Sequence, residues 1–171
     1  DHTSTTIYAK FPVKKTDSKV LENSNIIIWT TTPWTMPGNR AVAFGSKIKY
    51  SLLLIKSLKE DSIAKVNERI IIADDLIDDF INETKIDKIE RIKKINSNEL
   101  TGLILSHPLH QFGFEHDVPL LEADFVTTEQ GTGFVHIAPG HGSDDFELGV
   151  KHDLPIPETV NDDGYLNINE I

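Results

Sequence analysis

The chain has 171 residues, 39% of them hydrophobic, and contains no cysteine. This length suffices for one globular domain that buries about two-thirds of its unfolded surface, and the lack of cysteine excludes disulfides and thiolate chemistry. The formal net charge of -10 argues against a domain that grips nucleic acid over a wide area by itself, because that affinity comes from Lys and Arg.

Membrane and secretion signals are missing from the sequence. No apolar run approaches the ~20 residues that span a bilayer, and the polar opening DHTSTT does not resemble a signal peptide. We therefore expect a cytoplasmic location and no membrane contact. Any contact with nucleic acid should be local or shared with a partner.

Short strands separated by turn residues dominate the first half of the sequence. Residues 6–13 alternate apolar and polar side chains, which predicts a half-buried strand at a sheet edge that tolerates proline. The apolar run at residues 26–29 predicts a strand buried on both faces. Residues 30–37 should then leave the sheet as a loop, because Pro33 and Pro37 disfavour both a helix and a strand ladder. Further strands are predicted at residues 41–44, 50–55 and 69–73.

The second half of the sequence also predicts short elements. Residues 74–82 place apolar side chains on one face behind an acidic first turn, which predicts a helix. The isoleucines of residues 86–95 recur every three positions, which fits neither a helix nor a strand, so this element stays open. Many short strands with few helices predict an α+β fold built on a curved or closed, barrel-like sheet. The remaining predictions are strands at 103–105, 118–121, 123–126 and 134–137, a helix from Ser143, and a turn at 162–164 before a last strand.

A run of three threonines follows the buried strand at residues 26–29. The hydroxyls of Thr30, Thr31 and Thr32 could orient a water molecule or bind a ribose and an amine. Trp34 could form the wall of an apolar slot or stack on a base. Each feature has a structural alternative when taken singly, since threonine favours strands and tryptophan is common in cores.

A second polar stretch lies about a hundred residues later. Gly131, Thr132 and Gly133 precede a short strand that contains His136, and the missing glycine side chains would let a ligand approach the backbone closely. Asp145 falls in the first turn of the helix from Ser143, where the helix dipole stabilises an acid whether or not it binds anything. A lone histidine on a strand is commonly a core residue. Together, however, the two stretches predict the walls of one small pocket.

Three other kinds of site fit this stretch poorly. A metal site would need His136, His141, Asp144 and Asp145, whose spacing matches no ordinary zinc motif. A nucleophilic Ser143 lacks the second glycine of the strand-turn-helix elbow. The glycines at 131 and 133 lack the further glycines or Gly-Lys pair of a phosphate-binding loop. We therefore predict no metal and no cofactor in this domain.

Two motifs in the same order carry a family resemblance. They are WTTTPWT at residues 29–35, followed by Pro37, Asn39 and residues 41–43, and GTGFVHIAPGHGSDD at residues 131–145. The chain closely resembles the editing insertion, connective polypeptide 1, of isoleucyl-tRNA synthetases, and residues 98–102 and 107–109 resemble its linking segment. Valyl and leucyl relatives typically carry Thr-Thr-Arg-Pro and an acid at the first motif, which favours the isoleucyl branch.

The resemblance implies that residues 1–171 form a single editing domain excised from a larger synthetase. The chain lacks the His-Ile-Gly-His and Lys-Met-Ser-Lys-Ser signatures, so ATP binding and isoleucine activation belong to the rest of the synthetase, which would act in cis. The implied activity is that of an aminoacyl-tRNA deacylase acting on the 3′ end of isoleucine tRNA that carries valine, with valyl-adenylate as a further substrate. Isoleucyl-tRNA synthetase is the usual example of this problem: one methylene gives only roughly 1–3 kcal/mol of discrimination, so a second site destroys the wrong product.

The resemblance also implies residue roles. Asp145 would pair with the substrate's α-ammonium, and the three threonines would hold the water, the ester and the terminal ribose. His136 and Trp34 would bound the side-chain slot, with contact to the terminal adenosine as an alternative for His136. Residues 131–133 would let the substrate approach the backbone. An activated ester needs only a held water and a fixed carbonyl, so no metal is required.

Two alternatives remain open from the sequence. The first is an editing domain of the valyl or leucyl type, which would prefer a different mischarged tRNA. The second is a non-catalytic insertion that only guides the 3′ end of the tRNA, and the acidic net charge gives this alternative some support.

Overall fold

A computed structural model describes residues 6–156, and the turn and strand predicted from residue 162 onward lie outside them. The described residues form an α+β fold, as predicted. The strands are β1 Ile7–Lys15, β2 Ser24–Thr30, β3 Ala41–Phe44, β4 Tyr50–Leu58, β5 Arg69–Ala73, β6 Ile86–Ile95, β7 Ile104–Ser106, β8 Asp117–Glu122 and β9 Phe134–Ile137. The α-helices are α1 Ile77–Thr84, α2 Ser97–Leu100 and α3 Ser143–Lys151.

All nine strands belong to one sheet with the order β6-β4-β5-β2-β1-β7-β8-β3-β9. The pairs β2–β5 and β3–β8 are parallel, and the other neighbours are antiparallel. The sheet curls, because the segment just before β9 returns to the opposite half, where the Ala73 amide donates to the Thr132 carbonyl at 2.9 Å. Strand pairing within residues 6–156 does not close it into a barrel.

The start of β9 is fixed against β4 and β5. The Tyr50 ring stacks on Phe134 with centroids 4.5 Å apart, and its hydroxyl donates to the Gly133 carbonyl at 2.5 Å. Gly133 has a φ of +84°, and a Cβ atom there would lie 2.4 Å from the Cβ of Ala73. Only glycine therefore fits at this point, where β9 begins its course towards His136.

The segment after β2 is a short helix where the prolines predicted a loop. Residues Pro33–Gly38 form a 3₁₀-helix, and the Thr35 amide donates to the Thr32 carbonyl at 3.0 Å. Pro33 is compatible with this helix because it occupies the first turn, where its missing N–H has no intrahelical partner. The prediction that proline excludes a helix here was wrong.

Three strand predictions need correction or completion. β1 lies inside the sheet order, not at an edge, although β7 pairs with it only at Val13 and Lys15, after Pro12. Residues 123–126 do not form a strand. The Ala123 amide still bonds to the Phe44 carbonyl at 2.9 Å, but the chain turns directly afterwards. The open element at 86–95 is the strand β6, whose irregular register against β4 explains its unusual spacing.

The helix predicted at residues 74–82 is confirmed as a 3₁₀ turn, Asp74–Leu76, that runs into α1. The helix from Ser143 is confirmed as α3, with Gly142 at its cap. Among the described residues, no helix is long and apolar enough to cross a bilayer.

Candidate active site

One small cavity brings the two polar stretches together. It has a volume of about 210 Å³ and lies where β2, the following 3₁₀-helix, β9 and the start of α3 converge. Thr31 and Asp145, separated by more than a hundred residues in sequence, both line it. The full lining is Trp29, Thr30, Thr31, Thr32, Thr35, Val135, His136, Ala138, His141 and Asp145.

His136 is held by a hydrogen bond at each ring nitrogen. Its strand pairs with β3, which sets His136 opposite Val42 and leaves its side chain 9% exposed. The Asn39 amide lies 2.9 Å from Nδ1, and the Thr35 hydroxyl lies 2.7 Å from Nε2. The ring is therefore fixed in orientation as one wall of the cavity.

The partners of these two groups determine the tautomer of His136. Asn39 Nδ2 also donates to the Ala41 carbonyl at 2.9 Å, so its NH₂ group faces Nδ1, which must accept. The Thr35 hydroxyl donates its hydrogen to the Thr32 carbonyl at 2.8 Å. Nε2 of His136 must therefore carry a hydrogen and donate it to the Thr35 oxygen. A proton on Nδ1 of His136 would face the Asn39 N–H and break this hydrogen bond, which disfavours the charged imidazolium. Burial, together with smaller contributions from the nearby His107 and His141, lowers the pKa of His136 to about 4. His136 is therefore a neutral wall, not a free general base.

The three threonines take different positions at the end of β2. Thr30 is 7% exposed, and its hydroxyl accepts the Thr32 amide at 3.0 Å and lies 3.3 Å from the Thr32 hydroxyl. Thr32 is half-buried, whereas Thr31 is exposed at the cavity mouth. This bend supplies a fixed pair of hydroxyls inside the cavity and one hydroxyl at its mouth.

Asp145 forms the opposite wall from the first turn of α3. Its Oδ2 accepts the Ala138 amide at 2.8 Å, which ties the helix start to the segment that follows β9. Partial burial raises the pKa of the Asp145 carboxyl above its usual value, and Asp144 adds to this effect, while the Ala138 hydrogen bond and His141 oppose it. The carboxylate is a half-buried negative charge, suited to bind a small cation.

A cluster of imidazoles supports the wall from behind. His107 is fully buried, its Nε2 donates to the Met36 carbonyl at 2.9 Å and its Nδ1 accepts the Leu109 amide at 3.0 Å. His116 Nε2 lies 3.0 Å from the Asn39 carbonyl. Burial lowers the pKa of His107 to about 4. The 3₁₀-helix that carries Thr35 is thus fixed at its carbonyls as well as through Thr35 itself.

Four sequence-predicted site residues do not line the cavity. The Trp34 side chain is 61% exposed on the outside of the 3₁₀-helix. Thr132 is 1% exposed, and its hydroxyl donates to the Ile27 carbonyl at 2.6 Å. Gly131 faces the Trp29 ring, and Gly133 faces Ala73. Residues 131–133 therefore join the two halves of the sheet, and their predicted role in close ligand approach has no support in this geometry.

Sequence reasoning missed three residues of the site. Trp29 lines the cavity where Trp34 was expected to, and Thr35 and Asn39 fix His136. Trp29 and Asn39 belong to the motifs that carry the family resemblance, but the sequence assigns neither residue a role in the site. The available signal was that Thr35 and Asn39 lie close to two prolines in an apolar stretch. Polar side chains that are buried there would need hydrogen-bond partners.

A larger cavity of about 410 Å³ lies elsewhere, between β1 and the residues 61–68 turn. Its lining is mainly apolar and includes none of the sequence-predicted site residues. No group of three or more His, Asp or Glu side chains in residues 6–156 is arranged to hold a metal ion. The polar cavity is therefore the candidate active site.

Comparison with known proteins gives matches over nearly the whole chain. The family described as leucyl-tRNA synthetase, editing domain, matches residues 3–170. Isoleucine–tRNA ligase of Pelagibacter ubique is 48% identical over 96% of this chain and 18% of its own length, and that of Gluconobacter oxydans is 43% identical over 96% of this chain and 17% of its own. The chain thus spans about a fifth of these relatives.

Solved structures share the fold. The crystal structure of GlLeuRS-CP1 has a TM-score of 0.67 and 15% identity, over 86% of this chain and 60% of that one. The editing domain of the cytosolic leucyl-tRNA synthetase of P. knowlesi has a TM-score of 0.64 and 14% identity, over 86% of this chain and 62% of that one. At such low identity, these matches establish the architecture alone.

Proposed function

Because this chain belongs to the family of tRNA-synthetase editing domains, we propose that it removes valine mistakenly esterified to isoleucine tRNA. The curated relatives are isoleucine–tRNA ligases, which favours the isoleucyl branch over the leucyl one. Within such a ligase the chain would act as an aminoacyl-tRNA deacylase, with valyl-adenylate as a second substrate. The rest of the synthetase would bring the tRNA to it.

The observation that carries this proposal is the single cavity lined by the threonine bend, His136 and Asp145. Its volume of about 210 Å³ is below the roughly 300–1,000 Å³ typical of sites for drug-sized ligands. It suits an aminoacyl group, not a whole nucleoside. The terminal adenosine would then lie across the cavity mouth, beside Thr31.

Asp145 would bind the α-ammonium group of the esterified amino acid. Its Oδ2 is engaged by the Ala138 amide, so Oδ1 would take the ammonium. A charge-assisted hydrogen bond of this kind contributes about twice a neutral one, and partial burial strengthens it. The contact would also hold the ester carbonyl in a fixed direction relative to the threonines.

The hydroxyl pair of Thr30 and Thr32 would hold the attacking water. Water oxygen bonds to the ester carbon, the bond from that carbon to the ribose oxygen breaks, one water proton passes to the departing ribose oxygen and the other is released to solvent. Valine leaves with its carboxyl group ionised and the tRNA regains its hydroxyl. Since the ester is activated, positioning accounts for most of the rate, and no metal is needed.

His136 would set the upper size limit of the side-chain slot together with Trp29. Both ring nitrogens are engaged by Thr35 and Asn39, so the imidazole cannot swing aside to admit a larger substrate. A rigid wall of this kind would admit valine and exclude isoleucine by one methylene. Trp34, on the outside of the 3₁₀-helix, would take no part in this slot.

The test is deacylation of valyl-tRNA(Ile) by the synthetase that contains this chain, compared with a variant that lacks it. We expect hydrolysis in the first and none in the second. Equal rates would contradict the proposal. Threonyl-tRNA(Val) serves as the control substrate, since its preferred hydrolysis would assign the domain to the valyl type instead.

A crystal of this chain soaked with a non-hydrolysable valyl-adenosine tests the site directly. We expect the ammonium within hydrogen-bonding distance of Asp145 and the side chain against His136. An analogue bound elsewhere, or no binding at millimolar concentration, would contradict the site assignment.

A further inference from the structure

Strand β6 is a basic strip on an otherwise acidic chain. Its sequence IDKIERIKKI contains four Lys or Arg and two acids, in a chain of net charge -10. The cations concentrate at one end, where residues 91–95 include Arg91, Lys93 and Lys94 and no acid. A local reversal of charge of this kind creates a surface that attracts anions even though the whole chain repels them.

The structure leaves this strip accessible. β6 is the end strand of the sheet and pairs only with β4 among residues 6–156, so its outer edge is open. Residues 90–94 are all exposed, and only the terminal Ile86 and Ile95 are buried. Such an edge, lined by long cationic side chains, resists pairing with other strands and keeps its charges in solvent.

Two of the three cations make surface ion pairs. Arg91 lies 3.9 Å from Asp74, and Lys93 lies 2.9 Å from Glu99. The four side chains in these pairs are 19–48% exposed, and pairs in such positions contribute only about 0–1 kcal/mol. A competing phosphate can therefore replace the acids at little cost. Within residues 6–156, no acid forms an ion pair with Lys94.

The strand register places the basic end of β6 at the same end of the sheet as the candidate active site, three strands from β2. Thr30 ends β2, and the parallel neighbour β5 ends at Ala73 on the same side. Tyr50 pairs with both Ala73 and Ile95, so the start of β4 and the end of β6 lie there too. Three interstrand steps of about 4.8 Å separate β2 from β6, or roughly 14 Å sideways. Lys93 and Arg91 lie level with Ile26 and Asn25 of β2, four and five residues before Thr30, so the separation of the three cations from Thr30 is roughly 17–22 Å. A few nucleotides of a single strand cover that distance.

We propose that the end of β6, formed by Arg91, Lys93 and Lys94, binds the phosphate backbone of the tRNA strand that leads into the cavity. This inference rests on the proposed function, since it assigns a path to the nucleotides that precede the aminoacylated adenosine. It also explains how an acidic domain accepts a polyanion: the contact is local and close to the cavity. Backbone contacts of this kind position the strand without reading its sequence.

The experiment measures binding of this chain to an RNA acceptor-stem hairpin with a single-stranded 3′ end, across a range of salt concentrations. The test variant combines Arg91→Gln, Lys93→Gln and Lys94→Gln. The matched control combines Lys19→Gln, Lys59→Gln and Lys65→Gln, which remove the same charge from exposed positions at the opposite end of the sheet. Circular dichroism and melting temperature establish that both variants fold.

We expect the test variant to bind more weakly and its slope of log Kd against log salt to fall by about 2, because each single-strand phosphate contact releases roughly 0.7 counterions. The control should change both quantities much less. Equal loss in test and control, or no loss in the test variant, overturns the proposal. In the second case the strip would be assigned to a protein contact with the synthetase body.

Binding of valyl-adenosine analogue to the same variants separates this inference from the proposed function. The analogue lacks the preceding phosphates, so the β6 variant should bind it as the unmodified chain does. If the unmodified chain does not bind the analogue, the proposed function fails, while the salt slopes still decide whether β6 binds RNA.

Discussion

The two walls of the candidate active site are built differently. On the β2 side, Thr30, Thr35, Asn39 and His136 are each at most 9% exposed and are joined by hydrogen bonds. On the α3 side, residues 143–147 are exposed except for half-buried Asp145, which makes one bond to the Ala138 amide. The first wall is rigid and uncharged, whereas the second is solvated and charged.

This difference matches two tasks that the proposed function would require of one site. Exclusion of a side chain larger by one methylene requires a wall that does not yield, and buried groups joined by hydrogen bonds provide it, although Asn39 Oδ1 has no partner among the described residues. Capture of an ammonium group requires a charge that remains partly hydrated, since a deeply buried carboxylate would become protonated instead. Variants of the charged wall should therefore affect rate, and variants of the rigid wall should affect selectivity and stability.

The largest expected effect is that of Asp145→Ala on activity. Loss of a hydrogen bond to a charged group costs about 1.5–3 kcal/mol, so kcat/KM for valyl-tRNA(Ile) should fall by roughly 10- to 150-fold. The melting temperature should fall as well, because the Ala138 amide loses the Oδ2 acceptor that ties the start of α3 to the segment after β9. The control is Asp144→Ala, which removes the neighbouring acid of the same helix turn from outside the cavity. Similar losses in both variants would show that helix charge, not the site, matters.

The acid limb of the same reaction should reflect Asp145. Because partial burial raises its pKa above the usual 3.8, loss of activity on acidification should begin at higher pH than for an exposed aspartate. The pH profile of single-turnover deacylation checks this, and Asp145→Asn should remove the limb. An acid limb that persists in Asp145→Asn would assign the titration to another group.

Selectivity should fall when the rigid wall is opened by His136→Ala. We expect the ratio of valyl- to isoleucyl-tRNA hydrolysis to drop by about tenfold, within the range of one-methylene discrimination. Stability should fall too, since Thr35 and Asn39 lose a buried partner. His152→Ala, on the surface, is the control. If the ratio does not change, His136 does not limit the size of the side chain, and Trp29 alone would do so.

Acidification should destabilise the fold through its buried imidazoles. His107 and His136 have a pKa of about 4 when folded and 6.5 when exposed, so the unfolded chain binds more protons between these values. The free energy of unfolding should therefore decrease as the pH falls from 6.5 to 4. Thermal melts across this range test it, and His107→Gln should make the decrease less steep. If melting temperature depends on pH equally steeply in the unmodified chain and in His107→Gln, the destabilisation does not come from His107.

The smallest effect is expected for Trp34→Ala. Its side chain is 61% exposed and outside the cavity, so melting temperature and valyl-adenosine binding should remain nearly unchanged. A large loss of analogue binding would show that Trp34 folds over the cavity in the complex, as the sequence first indicated. Trp29→Ala, inside the cavity, provides the contrast.

The sequence predicted those parts of the fold and site that depend on local pattern. The bounds of β3, β5 and β9 matched, because short apolar runs end at clear turn residues. The joint position of Thr31 and Asp145 also matched, although the roles assigned to these residues stay predictions. The isoleucine spacing of β6 predicts neither a helix nor a strand, because only the two terminal isoleucines of this exposed strand are buried.

The missed parts depend on contacts between distant residues. The Thr35–His136 and Asn39–His136 bonds join residues 101 and 97 positions apart, so neither partner has a local signal. The reason for glycine at 133 is also distant in sequence, because a Cβ there would meet the methyl group of Ala73, whereas Gly131 is favoured by its own φ of +85°. The local pattern does not point to Trp29 as a site residue, because the apolar run at residues 26–29 predicts a strand buried on both faces.

The pairing of β9 with β3 makes the site sensitive to the length of the segment that precedes it. Val42 opposite His136 is one step in a four-residue ladder that begins just after Gly133. A deletion of one residue between Gly133 and His136 would put isoleucine in the place of the imidazole, because neighbouring strand positions face opposite sides. Insertions before Gly131 should instead be absorbed by the surface turn. Insertions within residues 127–130 should therefore be tolerated in this domain, whereas the number of residues between Thr132 and His136 must stay at three.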